Sequence, residues 1–254
     1  MEGQNTQMTF WDHLDELRST LLRIAVVFFS VAVILFFFKT FLFEKIVLAP
    51  TGSEFFLYRL LGTDMSLQLQ NIEISAQFFV HLKVTLLAAL VLCFPCFMYE
   101  IWKFVAPALY EDEKKAVKGA FAFSGILFYL GVATAYCLIF PLMLNFFAQY
   151  QVSGDVENVF SLSSYISMMV TTLLMFGIVF EFPTVIAVMS SMRIVTKDVL
   201  KAYRRHALCV IMILAAIITP SGDPFTLLIC TAPMYLLYEF SIIICKEQKN
   251  EEQP

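Results

Sequence analysis

Charged residues are scarce in this chain, and their absence from long stretches limits what the protein could be. Asp, Glu, Lys and Arg make up 15% of its 254 residues, and none of them lies between Lys118 and Asp155. The mean hydropathy is +0.77. A soluble protein would need an unusually large buried core to hold such segments. The composition therefore excludes a soluble globular fold and predicts an all-α, polytopic integral membrane protein.

Motifs for catalysis, metals and cofactors are missing as well. The sequence has no P-loop, no G-x-S-x-G, no H-E-x-x-H, no paired-acid hydrolase pattern and no lipid-anchor motif. Its three histidines, His13, His81 and His206, stand far apart. The segment from Cys93 to Cys96 has redox spacing but no basic neighbour that would stabilise a thiolate. We expect no enzyme, no metal, no cofactor and no nucleic-acid partner.

Six long apolar runs with few charged residues recur along the chain. About 20 apolar residues in a helix cross the hydrocarbon core of a bilayer, and a continuous run in lipid must be helical. We predict one membrane domain, residues 1–254, with spans at about 22–43, 79–99, 120–148, 166–190, 206–219 and 225–244. The last two spans are predicted to be short, and residues 246–254 to form a disordered tail.

The basic residues predict the orientation of these spans. With six spans, both termini and the loops 100–119 and 191–205 lie on one side, and they carry 13 of the 17 Lys and Arg. Basic loops stay in the cytoplasm. We therefore predict a multi-pass protein of the cytoplasmic membrane with both termini cytoplasmic.

Glu181 is the acidic residue with the strongest predicted function. It lies deep in the fourth predicted span, where a charged group costs about 2.5–3.5 kcal/mol on insertion scales. We expect it to face the bundle interior, a water-filled cavity or a polar partner, and the alternative is a purely structural buried acid. Pro183 removes the backbone bond to Val179 and favours a local opening of the helix.

Other acids lie near the predicted cytoplasmic ends of the spans. Glu16, Glu113, Glu100 and Glu239 each stand where a solvated carboxylate costs little. Taken alone, each is most simply a solvated charge.

Several segments, in this order along the chain, resemble one protein family. They are residues 13–18 (HLDELR), 102–110 (WKFVAPALY) with Glu113, 176–183 (FGIVFEFP), 203–205 (YRR), 219–225 (TPSGDPF) and 233–239 (PMYLLYE). Together they resemble TatC, the core subunit of the twin-arginine protein translocase. The resemblance covers almost the whole chain and implies six spans with cytoplasmic termini.

This resemblance implies a receptor for twin-arginine signal peptides that helps to export folded proteins on the proton-motive force. Glu16 and Glu113 correspond to the acids that receive the arginine pair, and Arg18 belongs to the same motif. A guanidinium binds a carboxylate bidentately, whereas a lysine cannot. Phe104 and Pro107 are expected to shape the same cytoplasmic surface.

The resemblance also assigns residues away from that surface. Glu181 corresponds to an intramembrane acid implicated in contact with small single-span subunits of the TatA and TatB type, and Pro50 and Asp223 match recurrent outer-side positions. The expected partners are these subunits, signal peptides of folded cargo, the lipid bilayer and further copies of the chain. Two features depart from the family. Thr20 stands where a basic residue is common, and Pro-Ser-Gly precedes Asp223 where Pro-Pro is common.

A proton-coupled secondary transporter of a small solute, using Glu181 as a relay, is the competing interpretation. Such transporters usually contain repeated halves and discontinuous helices at the membrane midplane. The spans here do not repeat, and a single acid lies deep within one. An intramembrane enzyme lacks a plausible nucleophile and base.

Overall fold

Long apolar helices dominate the structure, a computed structural model that describes residues 10–63, 65–108, 111–155, 158–219 and 222–245. Within these residues, five helical stretches are long and apolar enough to cross a membrane: His13–Phe36, Ala76–Val105, Val117–Gln149, Leu162–Ser191 and Pro224–Ile244. The protein is therefore a multi-pass helical membrane protein. The predicted tail, 246–254, lies outside the described residues.

The first span is one unbroken helix, α1 (Phe10–Phe36), which begins well before residue 22, where the span was predicted to start. The long loop that follows contains α2 (Lys39–Phe41), a π-helical segment (Leu42–Val47), a 3₁₀ turn (Ala49–Thr51) and α3 (Phe56–Leu61). Helix α3 is therefore a short helix within this loop. It ends at Gly62, whose φ of 65° favours glycine.

The rest of the chain is helical apart from short connections. The helices are α4 (Ala76–Val105), α5 (Glu111–Thr134), α6 (Phe140–Gln149), α7 (Leu162–Val179), α8 (Phe182–Ser191), α9 (Lys197–Ala202), α10 (Arg204–Ile218) and α11 (Pro224–Ile244). A 3₁₀ turn (Ala106–Ala108) lies between α4 and α5, and a π-helical segment (Ala135–Ile139) joins α5 to α6. Two short strands, β1 (Leu69–Gln70) and β2 (Phe160–Ser161), pair in parallel.

The last two predicted spans differ in length. Helix α10 has 15 residues, about 22 Å at the standard rise, and it is short as predicted. Helix α11 has 21 residues, about 31 Å, so the prediction of a short last span is wrong. It continues past Pro233, and Glu239 pairs with Arg204 of α10 at 2.7 Å, so this charge does not end the helix.

Helices α5 and α7 approach each other closely at two glycines. A Cβ added to Gly131 of α5 would come within 2.6 Å of the Phe176 carbonyl oxygen, and within 2.8 Å of the Phe180 side chain. A Cβ added to Gly177 of α7 would come within 2.7 Å of the Phe128 ring. Small residues allow membrane helices to approach this closely. We call these five residues the glycine seam.

Helix α1 is held much more loosely. It packs chiefly on α4. Only 11% of the residues in the most apolar stretch of this span are buried, against 44% for the span that contains α7 and α8. Large apolar side chains such as Phe29 and Val33 are exposed on it. This face is suited to lipid or to another protein.

Candidate functional site

The first candidate site lies where α1 begins, α4 ends and α5 begins, and we call it the terminal-end surface. His13 of α1 stacks on Phe104 of α4 with ring centroids 4.4 Å apart. Trp102 of α4 packs against Phe121 of α5 at 5.5 Å. Aromatic contacts therefore join three helices from distant parts of the sequence.

An arginine joins two acids on this surface. The Nε of Arg23 donates to Oε2 of Glu100 at 2.8 Å, and one Nη donates to Oε1 of Glu16 at 3.1 Å. The guanidinium also donates to the hydroxyls of Ser19 at 2.7 Å and Thr20 at 2.9 Å. Arg23 thus links α1 to α4 through charge-assisted hydrogen bonds.

An open groove of about 630 Å³ lies beside this network. Its lining comes from one face of α1 and from the end of α4: Asp15, Arg18, Ser19, Leu22, Arg23, Val26, Val27 and Glu100. Polar and charged side chains lie toward the start of α1, and apolar ones lie deeper along it. The groove can therefore accept a segment that is charged at one end and apolar at the other.

The structure places the predicted signal-peptide residues as follows. Glu16 belongs to the Arg23 network, exposed Arg18 lines the groove, and Phe104 packs on His13. Pro107 is exposed in the 3₁₀ turn after α4. Glu113 lies in the first turn of α5, and its side chain is outside the described part of the structure.

Sequence reasoning missed two members of this surface. Arg23 lies seven residues after Glu16, which is about two helical turns, so the spacing alone could have placed both on one face. Glu100 was interpreted as a solvated charge. In the structure its side chain is 13% exposed and ion-paired, so that interpretation is wrong. Buried Thr20 fills the position where the family often has a basic residue, and it accepts a bond from Arg23.

The second candidate site is Glu181, which lies at a break in its span. Helix α7 ends at Val179 and α8 begins at Phe182, with Glu181 between them as the residue before the first turn of α8. Pro183 occupies that first turn, where its missing N–H costs least. The local opening predicted from the proline is therefore present.

Glu181 lies beside two hydroxyl side chains that sequence reasoning did not identify, Ser124 of α5 and Thr184 of α8. Ser124 is fully buried and Thr184 is 8% exposed. Among the described residues, Oε1 of Glu181 and both hydroxyl oxygens have no hydrogen-bond partner of acceptable geometry. Such unsatisfied polar groups are costly in a buried setting. Of these three residues, Thr184 lines a groove of about 270 Å³ that Ser190 and Ser191 also line.

Pro50 lies in a buried junction at the opposite end of the bundle. Its carbonyl accepts a bond from the Tyr58 hydroxyl at 3.0 Å. The neighbouring π-helical segment accepts bonds from Tyr136 at 2.7 Å and from Tyr165 at 2.6 Å. Burial raises the pKa of the Tyr58 hydroxyl, which keeps it protonated as a donor. Three tyrosines from three helical elements therefore fasten the end of the first span.

Asp223 caps the start of α11. Its Oδ1 accepts the backbone N–H of Thr226 at 2.8 Å, and its Oδ2 accepts the Thr226 hydroxyl at 2.6 Å. Such a cap satisfies one of the free N–H groups of a helix. The longer turn before Asp223 does not prevent this role, and a direct part in transport stays a prediction.

Comparisons with known proteins give one consistent result. The sequence profile of the family described as "Sec-independent protein translocase protein (TatC)" matches residues 12–233. The TatC protein of Blattabacterium from Periplaneta americana is 33% identical over 96% of this chain and 97% of its own length. That of Deinococcus radiodurans is 33% identical over 93% of this chain and 85% of its own length.

Solved structures agree with the sequence comparison. A crystal structure of a twin arginine translocase receptor, TatC, in the detergent DDM superposes with a TM-score of 0.77. The two chains are 29% identical, and the match covers 92% of this chain and 99% of the other. A second TatC crystal structure gives a TM-score of 0.75.

Proposed function

Because the chain belongs to the TatC family of Sec-independent protein translocase proteins, we propose that it is the signal-peptide receptor of a twin-arginine translocase. In this role it is a core component of a multi-subunit complex that exports folded proteins across the cytoplasmic membrane on the proton-motive force. The terminal-end surface receives the signal peptide.

One observation supports the receptor role more than any other: this surface already binds a guanidinium. Glu16 and Glu100 hold Arg23 at 3.1 and 2.8 Å, and this contact supports the proposal that these carboxylates can bind an arginine. The adjoining groove runs from charged to apolar lining. A signal peptide has the matching order, a basic segment followed by an apolar one. Glu113 is proposed as a further acid of this site.

The proposed orientation follows from the positive-inside rule. The end of the bundle that holds both termini carries most of the basic residues, whereas the long loop after α1 and the turns at 150–161 and 219–224 carry few. In this orientation the terminal-end surface faces the cytoplasm, where signal peptides are made. Pro50 and Asp223 then lie on the outer side.

Glu181 has a different proposed role, as a polar docking point for a small single-span partner subunit of the TatA or TatB type. Oε1 of Glu181 is buried without a well-placed hydrogen-bond partner among the described residues, and the neighbouring Thr184 lines an open groove. A polar group on a partner helix would supply the missing hydrogen bonds. The transporter alternative has no comparable support, because the relatives named above are translocase proteins.

Photocrosslinking of a twin-arginine peptide tests the receptor role. A photoreactive residue at Leu22, an exposed position in the groove, should capture the peptide. The same group at Leu236, exposed on α11, should not capture it, and a Lys-Lys version of the peptide should give little product. Equal capture at both positions would contradict the proposed site.

Cysteine labelling tests the orientation. In a cysteine-free background, single cysteines at Arg59 and Gly222 should react with a membrane-impermeant reagent added from outside. Cysteines at Glu113 and Lys197 should react only after the membrane is opened. Outside labelling at Glu113 would reverse the topology and remove the receptor site from the cytoplasm.

A further inference from the structure

Arg23 contacts Glu16, the acid that is proposed to bind an arginine of the signal peptide. It is a guanidinium of the protein's own chain, bound to Glu16. We propose that Arg23 is an internal occupant of the arginine site, which an incoming peptide arginine displaces from Glu16 while Arg23 stays on Glu100. This inference rests on the proposed receptor function and adds an exchange step to it.

The two ion pairs of Arg23 are unequal. The contact with Glu100 is 2.8 Å long and that acid is 13% exposed, whereas the contact with Glu16 is 3.1 Å and that acid is 38% exposed. The shorter and more shielded pair is harder for solvent or another ion to replace. Glu16 is therefore the acid that exchanges its partner, and Glu100 is the acid that keeps it.

The hydrogen bonds of Arg23 allow this separation. Its Nε serves Glu100, and the bond to Glu16 comes from a different nitrogen, Nη2. Losing Glu16 leaves the guanidinium still bonded to Glu100, Ser19 and Thr20. The arginine therefore stays anchored, and no part of α1 needs to move.

The charges also balance through the exchange. Before peptide binding, Glu16 and Glu100 share one guanidinium. Afterwards a peptide arginine neutralises Glu16, and Arg23 neutralises Glu100, so each carboxylate has one cation. A bidentate guanidinium competes for Glu16 better than the single-point charge of a lysine. Arg23 thus sets a threshold that favours arginine in the peptide.

The exchange predicts opposite effects for two matched substitutions. Arg23→Gln removes the competitor and should tighten binding of a twin-arginine peptide by about two- to fivefold, the range for an exposed ion pair. Glu100→Gln removes the acid that competes with Glu16 for Arg23, so Arg23 should pair more fully with Glu16. The peptide should then bind about two- to fivefold more weakly. Both variants lose the same link between α1 and α4, so a purely structural defect would shift them in one direction.

The experiment is a titration of the purified full-length protein in detergent micelles with a fluorescent synthetic peptide that carries an Arg-Arg pair. Thermal unfolding checks that the variants are folded. Tighter binding by Arg23→Gln with weaker binding by Glu100→Gln supports the exchange. Arg23→Lys should resemble Arg23→Gln in part, because a lysine cannot bridge both acids.

Two outcomes overturn the exchange. Weaker binding in both variants would make Arg23 a positioning residue for Glu16, and unchanged binding in both would place it outside recognition. Glu16→Gln separates this inference from the proposed function. If Glu16→Gln binds like the wild type, the receptor site itself is wrong. If Glu16→Gln loses binding while Arg23→Gln does not gain it, only the exchange is wrong.

Discussion

Glu16 and Glu181 are carboxylates in opposite settings. Glu16 lies at the end of the bundle, half-exposed, with a guanidinium 3.1 Å away. Glu181 lies at a helix break inside a span, with a buried oxygen that has no partner among the described residues. The first acid is paired and accessible to solvent, whereas the second has one buried oxygen without a well-placed hydrogen bond.

The difference indicates two kinds of recognition. An exposed ion pair can exchange one cation for another at small cost, which suits reversible binding of many peptides. A buried polar group without a partner gains most when another helix supplies a hydrogen bond. These settings agree with the proposed roles, peptide recognition at the terminal-end surface and partner contact at Glu181.

The region around Glu16 is loosely packed, whereas the region around Glu181 is closely packed. Glu16 lies on α1, which packs chiefly on α4 and leaves most residues of its apolar stretch unburied. Glu181 directly follows Phe180, which belongs to the glycine seam. A shift at the seam should therefore reach Glu181 and spare Glu16.

The largest effect is expected from Glu181→Ala. It should leave peptide binding unchanged and reduce export of a folded twin-arginine cargo to a small fraction of the wild-type level. Glu181→Gln should retain part of the activity, because an amide still forms hydrogen bonds. The measurement is cargo export together with crosslinking to the small subunits.

A proton relay gives a different pattern for the same two variants. Neither Ala nor Gln titrates, so both should be equally inactive. Full export and normal crosslinking in Glu181→Ala would show that the residue is only a tolerated buried acid.

An intermediate effect is expected from Gly131→Ala. The new methyl group would meet the Phe176 carbonyl oxygen at 2.6 Å, and such overpacking costs about 1–3 kcal/mol. Thermal stability and export should fall together, while peptide binding per folded molecule should hold.

Gly125→Ala is the matched control on the same helix, since a Cβ there meets nothing within 4 Å. Equal stability losses in the two variants would mean that the close approach at the seam is not what makes Gly131 sensitive.

The smallest effect is a response to salt. Raising the salt concentration should weaken peptide binding by a few-fold, since exposed charges are screened. Crosslinking of the small subunits near Glu181 should change less, because buried contacts are screened weakly. An equal response of both would remove the distinction between the two sites.

Much of the fold could be predicted from the missing charges. The long spans and the break before Pro183 follow from hydropathy and from the chemistry of proline. The start of α11 was predicted to within one residue and its end was predicted correctly, but its description as a short span was wrong, because the helix continues past Glu239. Its partner Arg204 is 35 residues away, so this pairing was not evident from the sequence.

The candidate sites were only partly predictable. The family motif identified Glu16, and the cost of burying charge identified Glu181. Glu100 was not recognised because its partner Arg23 is 77 residues distant. Ser124 joins Glu181 only through the packing of α5 against α8, whereas Thr184 lies three residues after Glu181 and could have been found from helical spacing. Local chemistry was visible in the sequence, whereas contacts between helices required the structure.

Titration of purified Glu16→Ala/Glu113→Ala protein with a twin-arginine signal peptide tests the receptor role most directly. Each lost charge-assisted pair should weaken binding by about tenfold, the low end expected for hydrogen bonds to charged groups, and the double variant by about a hundredfold. The Glu181→Ala protein, measured beside it, should bind the peptide like the wild type. Unchanged affinity in the folded double variant would contradict recognition of the signal peptide at this surface.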